Sequence, residues 1–63
     1  MTLIQAQQRY IDRVQAAHPG HQRRVGRAAW AELFKWATAR GMDATAVCKD
    51  AKDMLVLEQA SEE

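Results

Sequence analysis

His18 and His21 stand three residues apart and are the only imidazoles in the chain, while Cys48 is its only thiol. Two histidines at that spacing could present two nitrogens to a metal. A structural zinc site, however, wants four ligands, usually cysteines and histidines, and Cys48 cannot complete the set without a carboxylate or a second chain. The pair is therefore read as polar turn residues beside a helix start, and no metal or other cofactor is expected. Cys48 as a nucleophile would need a base and an oxyanion donor, and no serine- or glycine-rich turn is present to supply them. It is read as a small, partly buried helix residue. Asp50 and Asp53 look like a solvated helix face, and no glycine-rich loop could cradle a phosphate. Catalysis is not expected.

The residues that suggest binding are of a different kind. Trp30 and Phe34 lie four apart, and Arg23, Arg24, Arg27 and Lys35 surround them in sequence. Large aromatic side chains beside arginine are the usual composition of an interface centre. The bland alternative makes the aromatics core and the basic residues a solubilising surface. Formal net charge is only +1, but it is segregated. Residues 1–42 carry seven Lys or Arg against Asp12 and Glu32, whereas residues 43–63 carry Lys49 and Lys52 against six carboxylates. A basic body with an acidic C-terminal segment follows, and a basic body suits an acidic partner.

Three helices must position these residues. Thr2 can cap a first helix over about 3–17, where Leu3, Ile4, Ala6, Tyr10, Ile11, Val14 and Ala17 recur at helical spacing. His18-Pro19-Gly20-His21 ends it, because proline bars the α conformation to its predecessor. A second helix is expected over about 22–40, with Gly41 as its left-handed cap. Val25, Ala29, Leu33 and Trp36 form its inner stripe, which Trp30, Phe34 and Ala37 widen to about half the circumference. Trp36 is thus expected in the core and Trp30 partly accessible. Asp43 caps a third helix over about 44–57, with Val47, Ala51, Met54 and Leu55 inward, and residues 58–63 are expected to fray.

The expected fold is all-α, a compact three-helix bundle or a helix-turn-helix variant of one, as a single domain over residues 1–63. Twelve alanines and one proline favour helix, and 48% hydrophobic with 27% charged residues is an ordinary globular composition. With one cysteine, no internal disulfide can reinforce so small a core. Dimerisation or docking onto a larger protein is the natural compensation. No apolar run approaches the roughly 18 residues that cross a bilayer, and Met1 to Ala17 lacks the pattern of a signal peptide. A cytoplasmic protein with no membrane contact is expected.

The stretch from Ala37 to Val47 resembles the DNA-binding helix-turn-helix motif. Ala37 lies four before the turn glycine Gly41, the apolar Met42 follows it, Asp43 caps the next helix, and Val47 lies six after the glycine. Arg40 and Asp50 depart from the pattern, which has apolar residues at both places. The resemblance implies a dimeric regulator whose third helix enters the major groove, with Thr45 and Lys49 as base readers and Arg40 nearby. Asp43, Asp50 and Asp53 on that helix oppose such an entry, since phosphate backbones flank the groove. The leading expectation is therefore a non-catalytic protein-binding module, an adaptor or steric inhibitor, docking through Trp30, Phe34, Arg23, Arg24, Arg27 and Lys35 onto a larger acidic protein or a second copy. A DNA-binding regulator is the alternative.

Overall fold

Each helix begins and ends where its local chemistry dictates. In the computed structural model, which describes residues 1–61, α1 spans Leu3–Ala16, α2 Gln22–Ala39 and α3 Ala44–Ser61. Thr2 and Gln5 form a reciprocal capping box: the Thr2 hydroxyl accepts the Gln5 N–H at 3.2 Å, and Gln5 Oε1 accepts the Thr2 N–H at 2.9 Å. Ala17 turns to an extended conformation two residues before Pro19 and ends α1. At the far end of α2, Gly41 adopts φ 73°. Its N–H donates to the Thr38 carbonyl at 3.1 Å, and the Met42 N–H donates to Ala37 at 3.0 Å. That bond pair is a Schellman closure, and it requires the left-handed residue that glycine supplies. Asp43 then caps α3, its carboxylate accepting the Ala46 N–H at 3.3 Å.

The long-range bonds define the topology. Gln7 Nε2 donates to the Val47 carbonyl at 3.2 Å, and Gln15 Nε2 to Glu58 at 3.0 Å, so α1 and α3 run in the same direction. Arg13 pairs with Glu32, tying the later half of α1 to the middle of α2, which runs the opposite way. Every helix touches the other two, giving a compact three-helix bundle with no strand among the described residues. No helix is long and apolar enough to cross a membrane.

Ile11 and Cys48 are the largest side chains completely enclosed, among Tyr10, Val14, Leu33, Val47 and Leu55. Alanines 6, 29, 37, 44 and 51 complete the core and let the helices approach closely. Cys48 is wholly buried rather than partly so, and its thiol donates to the Trp30 carbonyl at 3.7 Å.

Three further features depart from the sequence expectations. Trp36 packs against the core but remains partly exposed, because the buried ridge of α2 is Ala29, Leu33 and Ala37. With α1 and α3 covering α2 from two sides, Leu33 takes the middle of the buried arc. Trp30 and Trp36, three residues to either side, fall about 60° off it. Leu3 and Ile4 are exposed as well. Gln7 lies level with Val47, so Ile4, one turn earlier, lies level with the first turn of α3, at the end of the bundle. Finally, α3 stays helical through Ser61, since Gln15 holds Glu58 and Leu55 anchors the preceding turn. Glu62 and Glu63, also expected to fray, lie outside the described residues.

Candidate functional site

The second helix carries the densest group of candidate binding residues. Arg23, Arg27 and Phe34 stand at positions i, i+4 and i+11, which span an arc of only about 40° on an α-helix. All three are exposed, and Phe34 is 42% accessible. Arg23, Arg24 and Arg27 surround a shallow depression floored by Ala28 and Ala31, with Gly20 at its edge. Lys35 is exposed one turn beyond Ala31. The sole carboxylate of α2, Glu32, is engaged by Arg13 of α1. The outward face of α2 is therefore cationic, with an apolar ring at one margin and no acid of its own.

Trp30 belongs to this group only in part. Its ring meets Tyr10 edge-on, with centroids 6.3 Å apart and planes at 71°, the favourable T-shaped geometry. It is partly buried and packs against the core. Phe34, with no such ring contact, is the aromatic group most available to another molecule.

The third helix presents Thr45 and Lys49 to solvent, together with Asp50 and Asp53. Arg40 is not directed to a shared surface with them: its guanidinium lies over the Trp36 ring, 4.9 Å from the centroid. His18 and His21 meet edge to face with centroids 6.5 Å apart. Among the described residues, no group of three or more His, Cys, Asp or Glu is arranged to hold a metal ion. Burial pushes the Cys48 thiol above its ordinary value, so the thiolate is disfavoured.

Sequence reasoning missed one concave feature, a groove between α1 and α2 beside Trp36. Its signal was the pair of alanines, Ala6 and Ala29, one on each helix stripe, which leave space where larger residues would have filled it.

No protein-family model, no curated protein and no solved structure matches the chain. The chain is an alanine-rich three-helix bundle with a basic middle helix.

Proposed function

We propose that this chain is a non-catalytic, cytoplasmic protein-binding module, an adaptor or steric inhibitor, that docks through the outward face of α2 onto an acidic surface of a larger protein. The observation that carries the reading is the alignment of exposed Phe34 with Arg23 and Arg27 on a helix face without a carboxylate. Burying Phe34 in a partner's pocket supplies affinity, and the arginines supply encounter rate and register. Arg24 and Lys35 extend the cationic field, while Trp30 stiffens the platform from beneath. A second copy of the chain is a weaker candidate, because two such faces would set arginine against arginine.

One observation favours a second reading. Gly41 at φ 73°, followed by Asp43 capping a helix with exposed Thr45 and Lys49, reproduces the turn that the helix-turn-helix resemblance implies. On this reading α3 contacts base edges and the arginines of α2 contact phosphates. Titration of the protein against duplex DNA at low and at moderate salt separates the two. Protein docking predicts weak association that vanishes at moderate salt. Tight binding that persists for one sequence over another would replace it with the DNA reading.

A further inference from the structure

The groove between α1 and α2 lies on the opposite edge of α2 from Phe34, and none of the residues assigned above to docking lines it. It offers about 280 Å³ and is about half open to solvent. Ala6 and Ala29 leave the space, and Tyr10, Leu33 and Trp36 give it apolar and aromatic walls. The rim is charged: Arg13 and Glu32 bridge the two helices and neutralise one another, and Arg9 lines the groove without an ion-pair partner among the described residues. Trp36, one of the groove's walls, also carries the Arg40 guanidinium over its ring, 4.9 Å from the centroid, although Arg40 does not itself line the groove.

Ligand sites combine apolar walls with a few polar groups that fix orientation, and at about 280 Å³ the groove lies just under the roughly 300–1,000 Å³ of drug-sized sites. A groove of this size suits a fragment-sized body rather than a drug-sized one. Its one cation outside the Arg13–Glu32 pair, the exposed Arg9 with Asp12 one turn on, favours an anion, and a guanidinium can hold a planar carboxylate through two parallel hydrogen bonds. We propose that this groove binds a small amphipathic carboxylate, whose apolar body rests on Tyr10, Leu33 and Trp36 and whose anionic group meets Arg9. The site is independent of the docking face, and occupancy here requires no macromolecular partner.

Phenylbutyrate is a suitable probe and its neutral amide, phenylbutyramide, the matched control. In ¹H–¹⁵N spectra of the full chain, the indole resonances of Trp30 and Trp36 are assigned with a Trp36→Phe variant. Phenylbutyrate should shift the Trp36 signal saturably, with a dissociation constant on the order of 0.1–1 mM for so small a ligand. The amide should bind at least about fivefold more weakly, as should phenylbutyrate to Arg9→Gln, consistent with loss of a charge-assisted bond. Lys52→Gln, an exposed change on α3, should leave the constant unaltered. Absence of a saturable Trp36 shift overturns the proposal, as does equal binding of acid and amide, or an Arg9→Gln variant that keeps its dichroism and binds like the parent. The outcome is read without any protein or DNA partner, so its failure leaves the docking proposal standing, and the reverse holds too.

Discussion

Gln7 of α1 reaches the backbone of α3, its side-chain N–H donating to the Val47 carbonyl at 3.2 Å across forty residues of sequence. The side chain is 6% exposed, the one buried polar residue among the described residues, and the bond fixes the register of α1 against α3. Register matters because a single turn of slippage would withdraw Tyr10, Ile11 and Val14 from the core together.

Replacing Gln7 by Met keeps the volume and removes the bond. The change should lower stability by about 1 kcal/mol, the net worth of one buried hydrogen bond. Urea denaturation followed by circular dichroism measures it. A Gln7→Met protein more stable than the parent would contradict the prediction, the buried methionine then outweighing the lost bond.

Leu33 sits at 4% exposure between the two tryptophans, so Leu33→Ala should cost about 2–5 kcal/mol. Trp36→Ala should cost less, because part of that ring already faces solvent. In a domain of this size the first change is enough to unfold most of the population. The ordering is checked by thermal melting of both variants, and a folded Leu33→Ala beside an unfolded Trp36→Ala would reverse the assignment of the buried ridge.

Stability should fall in alkali through two named groups. Burial raises the Cys48 thiol, and burial, followed by the charge of Cys48, raises the Tyr10 phenol. In the unfolded chain both ionise at their ordinary values, about 8.5 and about 10. Below the thiol value both states hold the same protons and the contribution is complete. As pH rises past it the unfolded state loses protons that the folded state retains, and stability declines until the folded groups titrate too. Denaturation midpoints should be level from neutral pH to about 8 and then drop, and Cys48→Ala should delay the drop toward the tyrosine range. An onset unchanged in Cys48→Ala would assign the alkaline loss elsewhere.

The capped ends were legible because capping is local chemistry. Thr2, Gly41 and Asp43 act on groups within a few residues of themselves, so their types and positions were sufficient. Which arc of α2 is buried was only half legible. Seven apolar residues cover half its circumference, and periodicity alone does not say whether Trp36 or Ala37 faces inward. That choice depends on where α1 and α3 press, and contacts between helices settled it in favour of the small residue. Ile4 was misplaced for a related reason, since a helical stripe carries no information on how far the neighbouring helix extends. Of the docking face, the arginines and Phe34 were visible as types, but the partial withdrawal of Trp30 against Tyr10 is a tertiary contact. The α1–α2 groove escaped notice altogether, because a hollow is made by what two alanines lack.

The central claim is that the outward face of α2 carries the function, and it is tested by capture from the native host with four matched baits. These are the parent, a Phe34→Ala, Arg27→Gln variant, a Thr45→Ala, Lys49→Ala variant, and a Gln8→Ala control, each first shown to match the parent in dichroism and melting. All five positions altered by substitution are at or near the surface, so folding should survive within about 0.5 kcal/mol per site. Trp30 is left intact, because its loss would disturb the packing around Tyr10. The account predicts a defined protein partner, held by the parent, by the Thr45, Lys49 variant and by the control, and lost from the Phe34, Arg27 variant. A partner lost from the Thr45, Lys49 variant and kept by the Phe34, Arg27 variant would contradict it and move the functional surface to α3.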